Sequence, residues 1–129
     1  MLHIVVIDDS KLARKRVIET IKKFDIEHTI VGEASDGLEG LKIIQENCID
    51  LVITDLEMPN MDGLQLIQEI RTFNDNLNIL VVSSIASQQM KQTLKSDRYI
   101  DYIKKPLNIK IFEMLLLRIE HKLIKGTNE

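Results

Sequence analysis

Ile4-Val5-Val6-Ile7 runs directly into Asp8-Asp9-Ser10, and this junction decides the fold. Four consecutive β-branched residues without a polar alternation read as a strand covered on both faces. Strands of that kind belong to parallel sheets flanked by helices on either side. A helix pattern comes next. From Lys11 to Phe24 the apolar residues Ala13, Val17, Ile21 and Phe24 recur at helical spacing, and Ser10 is placed to cap the start.

Outward from this unit the alternation repeats. Thr29-Ile30-Val31 is a weaker strand, and Leu38, Leu41 and Ile44 mark a second helix. Leu51-Val52-Ile53 is the third strand, succeeded by a turn-rich loop from Pro59 to Gly63 and a helix from Leu64 to about Phe73. In that loop Asp62-Gly63 reads as a turn and helix entry, and Met58 and Met61 as packing residues. Ile79-Leu80-Val81-Val82 is the fourth strand. Gln88 to Ser96 is a polar helix with only Met90 and Leu94 to anchor it. Tyr102-Ile103 is a short fifth strand. The last helix runs from Ile109 to Ile124 with Phe112, Leu115, Leu116, Ile119 and Leu123 on its buried side. Strands alternating with helices in this way predict an α/β, doubly wound parallel sheet with right-handed crossovers. One domain is expected over residues 1–125, with Gly126-Thr127-Asn128-Glu129 as a frayed polar tail.

The bulk properties agree with a single globule. A chain of 129 residues is the size of one domain and needs neither disulfides nor a structural metal to fold. The formal net charge of −3, with acids and bases interspersed, argues against nucleic acid as the main partner. Arg14-Lys15-Arg16 reads as the solvated face of a helix. Cys48 stands alone, so no internal disulfide is possible, and it is expected to be a small buried packing residue. The segment before Ile7 has no basic leader, and no stretch is suited to membrane insertion, which together place the chain in the cytoplasm. His3, His28 and His121 are isolated and receive no role.

The chemistry lies in the residues at the end of each strand. The first strand ends in Asp8-Asp9, the third in Asp55, the fourth in Ser83-Ser84, and the fifth runs into Lys104-Lys105-Pro106. Ligands of open parallel sheets bind at the carboxyl ends of the strands, beside the point where strand order reverses. Three carboxylates, a hydroxyl and an ammonium would therefore meet in one cleft. Carboxylates about 4 Å apart repel by roughly 4 kcal/mol at an effective dielectric near 20, so the cluster calls for a cation. Mg²⁺ suits it: a hard ion content with one or two carboxylates, water and phosphate oxygens. A carboxylate can also act as a nucleophile and form an aspartyl phosphate, and phosphoryl transfer then needs mainly positioning and charge neutralisation.

Four segments carry a resemblance over nearly the whole chain: Val6-Ile7-Asp8-Asp9-Ser10, Asp55-Leu56-Glu57-Met58-Pro59-Asn60-Met61-Asp62-Gly63, Val81-Val82-Ser83-Ser84 and Lys105-Pro106. Taken in this order, they make the chain resemble the receiver domains of two-component response regulators, stand-alone chemotaxis receivers included. The resemblance implies a flavodoxin-like (βα)5 fold with strand order 2-1-3-4-5. It implies Asp55 as the phosphoacceptor and Mg²⁺ held by Asp9 and Asp55 directly, by Asp8 mainly through water, and by the backbone carbonyl of Glu57. Lys105 would pair with the phosphoryl group. Ser83 would move toward it, with Ser84 as the rival hydroxyl. Tyr102 aligns with the aromatic switch residue, and Lys105-Pro106 with a cis peptide. The implied partners are a histidine kinase or phosphotransfer protein and a downstream protein target. That target would be read through the fourth helix, fifth strand and last helix.

The chain departs from the family before the fifth strand, where Arg98-Tyr99 replace the usual Gly-Ala. Without that glycine a different end to the fourth helix is expected, and Tyr99 becomes a candidate for partner preference. Glu57 and Ile85 occupy the positions that tune how long a receiver keeps its phosphate. Several other readings compete: a receiver cut from a longer regulator, a pseudo-receiver that never gains a phosphate, and enzymes of related topology. Asp55-Leu56-Glu57 lacks the second Asp of haloacid-dehalogenase-type phosphatases, and Asp8-Asp9 has the wrong charge for the phosphate loop of a flavodoxin. The expectation is a phosphoacceptor with self-phosphorylation and dephosphorylation activity only, not an enzyme that turns over a metabolite.

Overall fold

A computed structural model describes residues 1–85 and 87–125. The tail expected at 126–129 lies outside them. Ten elements alternate along the chain: β1 Leu2–Ile7, α1 Lys11–Lys22, β2 His28–Ala34, α2 Gly37–Glu46, β3 Leu51–Thr54, α3 Gly63–Arg71, β4 Asn78–Ser83, α4 Gln88–Lys95, β5 Ile100–Lys104 and α5 Ile109–Ile124. The strands form one parallel sheet in the order β2-β1-β3-β4-β5. This is the doubly wound, flavodoxin-like order expected from the resemblance.

The continuous apolar runs are explained by the two cores. In β1, Leu2, Ile4 and Val6 pack with Val17 and Ile21 of α1 and Phe112, Leu115, Leu116 and Ile119 of α5. Val5 and Ile7 point the other way, into a cluster with Ile44 of α2, Leu66, Ile67 and Ile70 of α3, and Leu94 of α4. Because successive strand side chains alternate between faces, a strand covered on both sides must be apolar at every position.

The edge strands are longer than the sequence suggested. β2 and β5 are half-buried for most of their length, so polar residues sit inside them and blur the apolar run. One packing expectation is corrected. Cys48 is exposed, because it falls in the connection after α2 and not on that helix's inner face. Leu38, one of the residues that marked α2, is 54% exposed in its first turn.

Helix starts obey the capping chemistry. Ser10, Asp36, Asp62, Ser87 and Asn108 each accept a hydrogen bond from a backbone N–H in the first turn of the adjoining helix. At α3, Asp62 and Gln65 form a reciprocal capping box. The different end expected for α4 is present. Asp97 accepts the Tyr99 amide at 2.9 Å and is gripped by Arg71 Nε of α3 at 2.6 Å. A side-chain turn thus replaces the missing glycine.

Candidate functional site

The cleft forms where the carboxyl ends of β1, β3, β4 and β5 lie side by side. Asp8 and Asp9 leave β1, Asp55 leaves β3, Ser83 closes β4, and Lys105 comes directly after β5. Carboxylate oxygens of Asp8, Asp9 and Asp55 lie within 4.8 Å of one another. Lys105 Nζ donates to Asp8 Oδ2 and to Asp55 Oδ2, each at 3.0 Å. Residues far apart in the chain are therefore neighbours, as the strand-end reading predicted.

Two of the acids are held by neighbouring backbone amides. Asp8 Oδ1 accepts the Ser10 amide at 2.9 Å. Asp55 Oδ1 accepts the amides of Leu56 at 2.6 Å and Glu57 at 3.4 Å. Glu57 thus sits beside Asp55 in the loop; its carboxylate is exposed and is not part of the acidic cluster. Gly63 lies beneath this loop. Its amide donates to the Leu56 carbonyl at 2.8 Å, and a Cβ there would strike the Asp55 carbonyl oxygen. A glycine read as a simple helix entry is in fact required by close approach to the backbone of Asp55 and Leu56. On the far side of the loop, Asn60 adopts a positive φ of 67° and donates through Nδ2 to Asp36 Oδ2 at 2.7 Å. That bond ties the loop to the cap of α2.

The electrostatics stem from one ammonium serving several carboxylates. Burial pushes the Asp8 carboxyl above its ordinary value, and the Ser10 amide and Lys105 offset this only in part. Burial also pushes Asp55 upward, but the nearby Ser83 hydroxyl and Lys105 outweigh it and hold this carboxyl below the ordinary value. Burial acts to lower Lys105, yet its two acidic partners raise it. The ammonium thus stays charged, and three carboxylates against one lysine leave the cleft anionic.

The remaining candidates lie close by. The Ser83 side chain is buried; its Oγ contacts the Ile85 carbonyl at 3.2 Å and the Ile85 amide at 3.4 Å. Ser84 is exposed. Tyr102 is half-buried against the α2/α3/α4 side of the sheet, and its hydroxyl donates to the Ser83 carbonyl at 3.2 Å. The Lys105-Pro106 peptide is cis.

Arg14 is a residue whose part in the site the sequence did not reveal. It sits within a basic run that reads as a solvated face, but its side chain turns inward. It donates from Nη1 to the Asp8 carbonyl at 2.6 Å and from Nε to Glu33 Oε1 at 3.0 Å. It therefore braces the turn that presents Asp8 and Asp9. The only signal available was its position one turn into the helix after Asp8-Asp9-Ser10.

Oxygen ligands from clustered carboxylates, a lysine opposite and a hydroxyl alongside are a set that could hold a hard divalent cation beside an anionic group. On a doubly wound sheet this places the chain among signalling switches of the aspartate-receiver kind. Comparison with known proteins agrees. Residues 4–116 match the response regulator receiver domain, and the chain belongs to that family, the receiver domains of two-component response regulators.

A protein-glutamate methylesterase/protein-glutamine glutaminase of Koribacter versatilis is 37% identical over 107 residues, covering 81% of this chain and 29% of that protein. The transcriptional regulatory protein HptR of Staphylococcus aureus is 28% identical over 129 residues, covering all of this chain and 50% of that protein. The chain thus spans at most half the length of these curated relatives. The receiver domain of AraT, a response regulator from Geobacillus stearothermophilus, superimposes with a TM-score of 0.83 at 26% identity over 98% of both chains. Among the described residues, no helix is long and apolar enough to cross a membrane.

Proposed function

We propose that Asp55 is the phosphoacceptor of this receiver and that residues 1–125 form one switch unit working in the cytoplasm. The observation that carries this reading is the convergence of Asp8, Asp9 and Asp55 with Lys105 bonded to two of them. The donor is the phosphohistidine of a histidine kinase or phosphotransfer protein, or a small phosphodonor. A carboxylate oxygen of Asp55 attacks phosphorus, the bond from phosphorus to the donor atom breaks, and that atom leaves with the electron pair.

The donor set fits Mg²⁺: Asp9, Asp55 and the Glu57 carbonyl would hold it, with Asp8 acting through water. When bound, the ion neutralises charge on the phosphoryl oxygens. Lys105 pairs with the phosphoryl group and so leaves Asp8. Ser83 exchanges its contact with Ile85 for a phosphoryl oxygen. Tyr102, bonded to the Ser83 carbonyl, carries the change to the surface of α4, β5 and α5, where the downstream protein binds. Glu57 and Ile85 flank the cleft and modulate access of hydrolytic water. The domain loads and unloads its own phosphate and turns over no metabolite.

The test is incubation with acetyl phosphate and Mg²⁺, then intact-mass measurement. A phosphate-sized gain that is absent from Asp55→Asn and abolished by EDTA supports the assignment. No gain in the unaltered chain would establish the pseudo-receiver reading instead.

A further inference from the structure

Asp9 is the least supported of the three clustered acids. Asp8 and Asp55 each accept hydrogen bonds on both carboxylate oxygens. The Asp9 side chain is exposed and accepts none among the described residues. A carboxylate oxygen of Asp9 nevertheless lies within 4.8 Å of the other two acids. An unheld side chain takes its direction from its backbone, so whatever fixes that backbone aims the third carboxylate.

Two anchors flank Asp9. On one side the Ser10 amide donates to Asp8 Oδ1 at 2.9 Å. On the other, the Asp8 carbonyl shares a peptide unit with the Asp9 amide and accepts Arg14 Nη1 at 2.6 Å. Arg14 stands one turn beyond Ser10, and its own amide bonds the Ser10 carbonyl at 3.1 Å. Helical side chains tilt toward the helix N-terminus, which carries the guanidinium back over the first turn of α1. The guanidinium is held in its turn: Nε donates to Glu33 Oε1 of β2 at 3.0 Å, and the Arg14 side chain is only 14% exposed. Glu33 also balances the charge. An unpaired cation beside an anionic cleft would oppose a metal ion electrostatically, whereas a paired one orients the turn without that penalty. A guanidinium serves two acceptors at once from one rigid plane, which a single ammonium does not.

We propose that Arg14, aimed by Glu33, is the positioning residue for Asp9: it holds the Asp8-Asp9 peptide so that Asp9 presents its carboxylate to a divalent cation. The inference rests on the phosphoacceptor reading, in which Mg²⁺ is held beside Asp55. Arg14 acts through the backbone of Asp9 and not by contact with the ion.

The test titrates Mg²⁺ into the nitrogen-labelled, unphosphorylated chain and follows the amide shifts by NMR. Arg14→Met keeps an apolar stem and removes the fork; it should weaken Mg²⁺ binding about tenfold, the low end of what outer-shell partners carry. A pure charge effect has the opposite sign, because removing a cation beside the cleft tightens Mg²⁺. Glu33→Ala, at a side chain 46% exposed, should weaken binding about threefold, as for one modest hydrogen bond. The double variant should bind no more weakly than Arg14→Met, since Glu33 works only through Arg14. In the acetyl phosphate reaction, half-saturating Mg²⁺ should rise about tenfold for Arg14→Met while the rate at saturating Mg²⁺ stays within about twofold. A general structural defect would instead lower the saturating rate. Equal or tighter Mg²⁺ binding by Arg14→Met, or additive losses in the double variant, would overturn the proposal and leave Asp55 as phosphoacceptor. If Arg14→Met does not fold, Glu33→Ala decides, and an unchanged affinity there overturns it. No Mg²⁺ binding by the unaltered chain would defeat the underlying reading as well.

Discussion

Replacing Asp8 by Asn should make the metal-free protein more stable. Asp8 lies within 4.8 Å of two other carboxylates, and each such pair repels by roughly 3.5 kcal/mol at an effective dielectric of 20. Its attraction to Lys105 at 3.0 Å returns about 5.5 kcal/mol on the same scale. The balance is repulsive by about 1–2 kcal/mol before burial is counted, and the exposure of Asp9 screens part of it. Asparagine keeps the oxygen that accepts the Ser10 amide and removes the charge. In EDTA, urea unfolding monitored by far-UV circular dichroism should therefore show a gain of about 1–2 kcal/mol. Added Mg²⁺ should stabilise the parent more than the variant and narrow the gap. Acid should narrow it too. The Asp8 carboxyl sits above its ordinary value of 3.8 in the folded chain, so folding carries a penalty at neutral pH. That penalty is relieved as pH falls through the raised value. A variant less stable than the parent in EDTA, or a gap that widens in acid, would refute the electrostatic account.

Three further perturbations test the supports of the site. Gly63→Ala places a Cβ against the Asp55 carbonyl and 2.8 Å from Leu56 Cα; it should cost about 1–3 kcal/mol in urea unfolding and slow phosphate uptake from acetyl phosphate. Arg71→Met breaks a fork to Asp97 in which the two side chains are only 16% and 21% exposed. A loss of about 2 kcal/mol is expected, with hydrogen exchange speeding up first at the amides of Ser96 to Tyr99. Asp36→Ala removes the α2 cap and the Asn60 contact for about 1 kcal/mol at neutral pH. The Glu39 amide and Asn60 hold the Asp36 carboxyl below its ordinary value. Its stabilisation is therefore full above the ordinary value and lost as pH falls through the depressed one. The thermal melts of parent and variant should converge in acid.

How much was legible can be judged residue by residue. Ile4 to Ile7, Leu51 to Ile53 and Ile79 to Val82 announced central strands because both faces are buried. Strand order then came from the resemblance to receiver domains, and the acids at the strand ends had only one edge of the sheet on which to meet. β2 and β5 were under-read because an edge strand tolerates polar side chains. The misjudgements concern direction. Arg14 and Lys15 are adjacent bases on one helix, and nothing local says that the first turns toward the Asp8 carbonyl while the second faces water. Cys48 has an apolar tendency, but the connection that carries it leaves its side chain in solvent. Asp97 could not be read as the stop of α4, because its partner Arg71 lies on another helix.

The metal-free cleft has the layout of a switch held by a shared bond. Lys105 Nζ binds Asp8 and Asp55 together; under the proposed phosphorylation, a new anionic group on Asp55 would draw the ammonium from Asp8 and leave that acid to a cation. At the same edge the Ser83 carbonyl accepts two bonds from the β5 side, the Lys105 amide at 2.9 Å and the Tyr102 hydroxyl at 3.2 Å. A displacement of the last residue of β4 therefore shifts the acceptor on which both depend. Tyr102 leans on the cluster that contains Leu94 of α4, so its position bears on how that helix packs. α4 has Leu94 as its one buried apolar side chain among the described residues, as α2 has Ile44. Under the proposed phosphorylation, a change at Asp55 would have a route to α4 through Ser83 and Tyr102 that leaves the sheet intact.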